Sequence, residues 1–567
     1  MINIKVIASE ILNRSFGEIE KGIFLEMLET PPNPDMGDVA LACFKLSKQL
    51  RKSPPDIARM LEDKIKPVDV FSRIQAVGGY LNFFVDRQKY MGSVLDSIFK
   101  QGDAYGSENS GQGKTICIDY SAPNIAKPFH VGHLYTTVIG NSLCKIFKFM
   151  GYNVVGINHL GDWGTQFGKL ITAYKYWGDK EKVTKGQVKE LVALYVKFHE
   201  EVEKNPLLDD EARAWFTKLE QGDLEALELW QWFVDLSLVE FKKVYAMLDI
   251  EFDSYAGESF YNDKMSSIIN ELKQKKILVE SQGAKIVSLE DYNMPPCLLL
   301  KKDGSTLYAT RDIAAGFYRK QNYNFEKCLY VMGASQALHF KQWTKVVELM
   351  GYNWAQDCIH VPFGMVSIDG KKLATRTGVV VLLDDLFKEA ISRTLEIICT
   401  KNPNMQNKEE TATQIGIGAI VFGYLSSNRI KDISFSWEDA LNFDGETGPY
   451  VQYAHARACS LLKSNSMDYK EVQYDVDLID TNEEFQLVKI LSQFNETILL
   501  AMRDYEPSVI TRYLVDVAQT FNRFYHAHKI LVENVNVMNS RLALVNATRI
   551  VLRNGLSLIG LKAPQRV

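Results

Sequence analysis

One strand–turn–helix–strand segment constrains the fold of this chain more strongly than any other feature. Apolar residues at 115–120 predict a strand, a turn with two prolines follows, and helical spacing runs from about 133 to 150. A second strand is predicted at 153–158, and segments 327–331 and 360–368 are expected to complete the sheet. This order implies parallel strands, so the pattern predicts a nucleotide-binding α/β domain of the Rossmann type.

The chain of 567 residues is too long for one core, and its segments differ in character. Residues 1–105 indicate a small α+β module. Residues 114–380 indicate the Rossmann-like catalytic domain, interrupted by a charged helical insertion at about 180–250. A connecting helical segment is expected at 381–442, and residues 443–567 are expected to form an all-α bundle.

Composition and charge exclude several classes of protein. No apolar run approaches the roughly 20 residues that span a membrane, and the N-terminus lacks a signal-peptide pattern. The eight cysteines are scattered without a CxxC pair, which predicts neither a zinc site nor a disulfide framework and favours the cytoplasm. The net charge of −5 does not exclude nucleic acid as a partner, because phosphate contacts need only local Lys and Arg.

The most informative motif is His130-Val131-Gly132-His133, which lies where the first strand turns into the helix. Free N–H groups and the helix dipole favour anions at such a helix N-terminus. Gly132 lets a flat base approach the backbone, and both histidines can donate to a phosphate and stabilise charge at its phosphorus. Two satisfied surface histidines are the alternative explanation, which the strand–turn–helix setting disfavours.

A basic loop with Lys371, Lys372 and Arg376 follows the last predicted strand of the same domain. Cations on a loop beside a nucleotide site can clamp ATP phosphates. A solvated basic turn is the alternative explanation, and for the loop taken alone it would be the better one. The position of the loop after the histidine motif favours the functional interpretation.

Tyr308 and Asp312 are four residues apart and so share one face of a predicted helix. A guanidinium group is a planar fork of donors, and it calls for a carboxylate and further oxygen acceptors in one plane. An aspartate that caps a helix beside a packed tyrosine is an equally good explanation of this segment by itself.

These segments resemble the signatures of one family. SAPNIAKPFHVGHL is similar to the HIGH motif of class I aminoacyl-tRNA synthetases in its arginyl-tRNA synthetase form, and the basic loop lies where that class carries its KMSKS loop. LYATRDIAA resembles the family's arginine-recognition helix, and FDGETGPYVQYAHAR resembles the start of its anticodon-binding bundle. The resemblance covers nearly the whole chain, since GGYLNFFV is similar to the N-terminal domain that touches the tRNA elbow.

The resemblance implies a ligase that makes arginyl-adenylate from L-arginine and Mg-ATP and transfers the arginyl group to tRNA-Arg. It assigns arginine binding to Asp119, Asn124, Tyr308, Asp312 and Gln336. It assigns ATP binding to His130, Gly132, His133, Lys371 and Lys372, and catalysis to His130 and His133. We predict that Lys127, Lys372 and Arg376 also take part in catalysis. Contacts with tRNA are expected at Tyr80, Asn82, Tyr450, Tyr453 and Arg457, where aromatic side chains beside cations suit stacking on unpaired bases.

Two positions depart from the family pattern. Thr375 stands where the second lysine of the KMSKS loop is usual, and we hypothesise that Lys127 supplies the missing charge. Asp119 stands where a longer Glu is often found. The resemblance further implies Mg²⁺ as a cofactor, no metal site built by the protein, a monomer, and a first step that needs bound tRNA. The loop at 158–168 and Glu258 are placed near the pocket without roles, and His339 is expected only to support it.

Three other functions remain open at this point. A class I synthetase for another amino acid, such as cysteine, would share the sheet and both motifs, but Tyr308 with Asp312 disfavours it. A catalytically silent tRNA-binding protein would explain Thr375, although it would have no reason to keep His130 and His133. A small-molecule nucleotidylyltransferase also uses an HxGH motif, but the chain length and the aromatic C-terminal bundle disfavour it.

Overall fold

The fold is taken from a computed structural model. It describes residues 3–16, 22–66, 70–302, 306–368, 371–372, 382–442, 445–463 and 473–567.

The N-terminal module is a four-stranded antiparallel sheet with helices packed against it. Its elements are α1 (Ile4–Ser15), α2 (Ile23–Met27), β1 (Leu28–Glu29), β2 (Val39–Ala42), α3 (Ser47–Leu50), α4 (Pro54–Lys64), β3 (Phe71–Val77), β4 (Tyr80–Val85) and α5 (Arg87–Gln101). The strand order is β1-β2-β4-β3. The turn between β3 and β4 consists of two glycines, and Gly78 has a φ of 56° that a side chain would resist.

A parallel four-stranded sheet forms the centre of the next domain and confirms the predicted fold class. The elements around it are β5 (Thr115–Asp119), α6 (Val131–Phe149), β6 (Asn153–Ile157), α7 (Thr165–Trp177), α8 (Lys180–Lys204), α9 (Leu207–Glu220), α10 (Leu224–Met247), α11 (Met265–Gln274), β7 (Val279–Ser281), β8 (Ala284–Val287), β9 (Cys297–Leu300), α12 (Tyr308–Tyr323), β10 (Lys327–Gly333), α13 (Ala337–Leu349) and β11 (Cys358–Phe363). The central strand order is β11-β10-β5-β6, and β7, β8 and β9 form a separate small sheet.

The sheet is buried on both faces, which explains why Ile116, Cys117 and Ile118 of β5 are all buried instead of alternating between buried and exposed. Helix α6 lies close against the turn that follows β5. A Cβ added at Gly140 of α6 would lie 2.1 Å from Cγ of the Tyr120 ring, so only glycine permits this approach. The close approach brings the N-terminus of α6 to the carboxyl edge of the sheet, where α/β folds of this kind bind ligands.

The expectation that residues 360–368 form one strand of the central sheet was wrong. The chain leaves the sheet after β11, and residues 366–368 form β12 in a different sheet with β13 (Lys371–Lys372) and β14 (Ile433–Phe435). The chain changes direction at Gly364, whose N–H donates to the Arg429 carbonyl at 2.8 Å. A Cβ at this glycine would lie 2.4 Å from the Lys431 carbonyl oxygen.

The remainder of the described chain is mainly helical, as expected for the C-terminal bundle. The helices are α14 (Leu383–Lys401), α15 (Lys408–Leu425), α16 (Trp437–Ala440), α17 (Gly448–Lys463), α18 (Asn482–Ser492), α19 (Phe494–Asp504), α20 (Ser508–Ala527) and α21 (Val535–Leu558). Helices α8, α9 and α10 occupy the segment predicted as an insertion. Within the described ranges, no helix is both long enough and apolar enough to cross a membrane.

The N-terminal module packs directly on this C-terminal bundle. The Lys489 ammonium group donates to the Asp38 carboxylate at 2.9 Å, and both side chains are largely buried. The hydroxyl groups of Tyr90 and Ser492 lie 2.5 Å apart. The Asn554 amide on α21 donates to the Gly102 carbonyl at 3.0 Å. The two ends of the chain therefore share one interface.

Candidate active site

The loops after β5 and β6 meet at the carboxyl edge of the central sheet. Asn124 and Gly161 form a parallel bridge, and the Ile125 N–H donates to the Gly161 carbonyl at 3.1 Å. A Cβ at Gly161 would lie 2.4 Å from the Asn124 side-chain oxygen, so the amide rests on the glycine. This contact joins Asn124, a predicted arginine-binding residue, to the loop 158–168, which is predicted to lie near the pocket.

The two motif histidines form a stacked pair at the N-terminus of α6. Their ring centroids are 3.9 Å apart. His130 caps the helix, because its Nδ1 accepts from the Gly132 N–H at 3.1 Å. The His133 Nδ1 in turn accepts from the His130 N–H at 3.3 Å. A Cβ at Gly132 would lie only 2.9 Å from the His130 ring, so the glycine also makes room for this arrangement.

These hydrogen bonds fix the proton position on both rings. Because each Nδ1 accepts a backbone N–H, the proton of each neutral ring is assigned to Nε2. Burial lowers the pKa of His133 to about 3, and the charges of His130 and Lys127 add to that effect. Burial, with the charge of Lys127, also lowers the pKa of His130. Near neutral pH the motif therefore presents two neutral Nε2–H donors beside the helix N-terminus, an arrangement suited to phosphate oxygens.

A second group of charges lies at the end of β5. The Asp119 carboxylate accepts from the Arg319 guanidinium of α12 at 2.8 Å, and Arg319 is 1% exposed. The His159 ring lies 3.5 Å from the same guanidinium nitrogen. Burial lowers the pKa of His159, although the carboxylates of Asp119 and Asp312 oppose that shift.

Tyr308 and Asp312 occupy the first turns of α12, as the spacing predicted. The Tyr308 side chain is 65% exposed, so its ring is available to a ligand. The Asp312 carboxylate is bound by His339 Nε2 of α13 at 2.6 Å, and this hydrogen bond raises the pKa of His339. Gln336 is exposed in the short turn that precedes α13. His339 thus holds the Asp312 carboxylate in a fixed orientation.

A third group of polar and charged side chains is formed by Asp162, Ser259, Glu258 and Arg311. The Asp162 carboxylate accepts from both the backbone N–H and the hydroxyl of Ser259, at 2.8 and 2.6 Å. Glu258 accepts from Arg311 at 3.1 Å, and burial raises the pKa of Glu258 to about 7 despite the opposing charge of Arg311. A site with several carboxylates, some held by hydrogen bonds, suits a cationic ligand.

Sequence reasoning missed Arg311 and Arg319. One signal was available for Arg319, because positions 312 and 319 are seven residues apart and lie on one face of a helix. Of the predicted cations, Lys127 is exposed beside the histidines. Arg376 and the side chains of Lys371 and Lys372 lie outside the described residues.

The residues expected to contact tRNA lie in two places far from the histidines in sequence. On β4, Tyr80 is exposed and its ring lies 5.4 Å from that of Phe44, whereas Asn82 is only 4% exposed. On α17, the Arg457 guanidinium lies 4.9 Å from the ring centroids of Tyr453 and Tyr525. Tyr450 accepts from the Asn522 amide at 2.9 Å. This second group borders a cavity of about 520 Å³ lined by Ile397, Ile398, Lys401, Asn402, Tyr450, Tyr453, Arg457, Asn522, His526 and Val567.

Metal ligands do not converge anywhere in the part of the chain that the structure describes. No group of three or more His, Cys, Asp or Glu side chains is arranged there to hold an ion. All eight cysteines are free thiols, and six of them are buried.

Comparison with known proteins places the whole chain in one family. Family models match three parts of it: "Arginyl tRNA synthetase N terminal domain" at residues 3–85, "tRNA synthetases class I (R), catalytic domain" at 94–437 and "DALR anticodon binding domain" at 451–567. The arginine–tRNA ligase of Alkaliphilus metalliredigens is 57% identical, with 100% of both chains covered. That of Clostridioides difficile is 52% identical, again with 100% of both chains covered.

Solved structures agree with these sequence matches. The arginyl-tRNA synthetase of Thermus thermophilus superposes with a TM-score of 0.84 at 24% identity, covering 100% of both chains. The Plasmodium falciparum arginyl-tRNA synthetase gives 0.80 at 26% identity, covering 100% of this chain and 98% of the other. The catalytic-domain model alone spans more than half of the chain. The chain therefore belongs to the arginyl-tRNA synthetase family of class I aminoacyl-tRNA synthetases.

Proposed function

We propose that the chain activates L-arginine with ATP and transfers the arginyl group to the 3′-terminal ribose of tRNA-Arg, releasing AMP and pyrophosphate. The observation that carries the proposal is the pair of Nε2–H donors on His130 and His133, set at a helix N-terminus beside a pocket rich in carboxylates. An anionic phosphate and a cationic amino acid are the two ligands that such neighbouring sites would bind.

In this proposal the pocket holds arginine at both ends. Asp312, oriented by its hydrogen bond to His339, takes the guanidinium group together with the exposed hydroxyl of Tyr308. Asp119 and Asn124, at the carboxyl end of the central sheet, take the α-amino and carboxylate end. Gln336 adds a polar contact from the turn before α13.

The first chemical step joins the arginine carboxylate to the α-phosphorus of ATP and breaks the bond to pyrophosphate. Charge that develops on the phosphoryl oxygens is stabilised by the Nε2–H groups of His130 and His133. Gly132, which accommodates the His130 ring, is proposed to bind ATP together with the two histidines. Lys127 supplies a positive charge on the exposed side of the pair. Lys371, Lys372 and Arg376 are proposed to clamp the phosphates from the basic loop.

The chain offers no cage of its own for Mg²⁺ within the described ranges. Mg²⁺ keeps several waters and commonly binds through substrate phosphates rather than through a dedicated protein site. We therefore propose that the ion arrives on ATP and neutralises phosphate charge there.

For the second step, the 2′-hydroxyl of the terminal ribose attacks the arginyl carbonyl, as class I membership implies, and AMP leaves. The tRNA is proposed to contact Tyr80 and Asn82 of the N-terminal module, with Tyr80 as the exposed partner. Tyr450, Tyr453 and Arg457 would receive anticodon bases at the aromatic cavity. We propose that the protein is a monomer. We also propose a cytoplasmic location, which the eight free thiols favour. The proposed domains are residues 1–105, 114–380, 381–442 and 443–567.

Pyrophosphate exchange tests the proposal directly. Each of the twenty amino acids is assayed with ATP, in the presence and in the absence of total tRNA. Exchange with arginine alone, and only when tRNA is present, is the expected result. Exchange with a different amino acid would refute the pocket built on Tyr308 and Asp312. Complete absence of exchange would favour a catalytically silent tRNA-binding protein.

A further inference from the structure

Arg319 is a buried charge that the proposed chemistry does not use. It lies two helical turns beyond Asp312 on α12, and it is 1% exposed. A buried arginine is costly unless its charge is paired. Its ion-pair partner is Asp119, whose carboxylate oxygen lies 2.8 Å from the guanidinium.

This ion pair joins two elements that bind opposite ends of the proposed substrate. Asp119 ends β5, at the side assigned to the α-amino group. Helix α12 begins with Tyr308 and carries Asp312, at the side assigned to the guanidinium group. A rise of 1.5 Å per residue puts Asp312 about 10 Å along the helix from Arg319. Arg319 therefore lies in the same rigid helix as Asp312, the residue proposed to bind the guanidinium group of the substrate.

We infer that Arg319 is a positioning residue that sets the distance between the two ends of the arginine pocket, and so sets the length of side chain that the pocket accepts. The inference rests on the proposed function. The pair fixes α12 against β5, and the substrate is proposed to span the same two elements. A guanidinium fork has a planar, directional geometry that a lysine ammonium group does not reproduce.

Loss of the ion pair between Arg319 and Asp119 changes the pocket in a defined way. With Arg319→Met, Asp119 becomes a buried carboxylate without its ion-pair partner, and it takes a proton or turns toward solvent. Either response weakens the hold on the α-amino end and frees α12 to shift along β5. The change therefore lowers the preference for the natural length of side chain rather than the rate of chemistry on a bound substrate.

The test compares L-arginine with its analogues one methylene shorter and one methylene longer, in tRNA-dependent pyrophosphate exchange. A difference of one methylene commonly changes kcat/KM by about 10–200-fold. For Arg319→Met we expect the ratio of kcat/KM for arginine to that for the longer analogue to fall at least about 10-fold. The change should arise mainly in KM, and Arg319→Lys should recover part of the ratio.

Arg541→Met is the matched control. Arg541 donates to the buried Glu484 at 3.0 Å within the C-terminal bundle, far in sequence from the pocket. Its loss removes a comparable ion pair, and the length ratio should stay at the wild-type value. A wild-type ratio in Arg319→Met, or in Arg319→Lys if the methionine variant does not fold, would overturn the inference. A wild-type enzyme that does not exchange with arginine would refute the proposed function itself.

Discussion

Replacement of Gly132 by alanine separates the effect of the histidine geometry on activity from its effect on stability. The added Cβ would lie 2.9 Å from the His130 ring, closer than two carbons approach in folded proteins, so the ring must turn away. Turning breaks the 3.1 Å hydrogen bond from the Gly132 N–H and the 3.9 Å stack on His133. The Nε2–H of His130 then no longer points to where phosphate charge develops.

The substitution is expected to lower kcat strongly and to leave the free energy of unfolding almost unchanged. Loss of one preorganised donor to a developing anion lowers kcat by about 10²–10³-fold, equivalent to about 2.7–4 kcal/mol. Alanine in place of glycine within a helix raises the free energy of unfolding by roughly 0.5–1 kcal/mol, which offsets the cost of the displaced ring. Gly132→Ala should therefore be nearly as stable as the wild type while exchanging pyrophosphate about a hundredfold more slowly.

Two measurements decide the outcome. Pyrophosphate exchange with arginine and tRNA gives kcat, and urea unfolding gives stability. Gly423→Ala on α15 is the control, because a Cβ there meets nothing within 4 Å. It should gain slight stability at unchanged kcat. Wild-type kcat in Gly132→Ala would refute the assignment of His130, and a parallel loss of stability would mean that the glycine serves packing instead.

Three further expectations concern single residues. Lys127→Ala should slow pyrophosphate exchange at least about 10-fold without altering urea unfolding, and a near-normal rate would end the hypothesis that it replaces the missing lysine. Tyr453→Ala should weaken tRNA binding by about 1–3 kcal/mol in a filter-binding titration, while leaving the KM for arginine unchanged. Burial lowers the pKa of His455 to about 4, below its usual 6.5, so the unfolded state takes up the proton first. Its contribution, on the order of 3 kcal/mol, is present above pH 6.5 and is lost as the pH falls towards 4. In urea unfolding, His455→Gln should flatten this pH dependence, and an unchanged slope would exclude His455 as its source.

Local patterns predicted the parts of the fold that depend on neighbours in the chain. The strands β5 and β6, the helix α6 and the shared face of Tyr308 and Asp312 all follow from spacing and turn residues. The roles of the predicted site residues stay predictions.

Local sequence patterns did not predict the contacts between segments that are distant along the chain. An arginine on a helix is usually solvent-exposed, and nothing near position 319 indicates a partner at Asp119, two hundred residues earlier. Departure of the chain from the central sheet at Gly364 likewise depends on backbone carbonyl groups of the segment at 429–431. Such contacts are set by the assembled fold.

The interface between the N-terminal module and the C-terminal bundle has a consequence for synthesis on the ribosome. Domains generally fold in the order in which they emerge, and exposed apolar surface on an incomplete chain promotes aggregation. Here Asp38 and Tyr90 emerge early, whereas their partners Lys489 and Ser492 emerge only when most of the chain has been made. The surface of the N-terminal module that contacts the bundle therefore stays uncovered until α18 has been synthesised. A nascent chain that stalls before α18 is expected to need a chaperone.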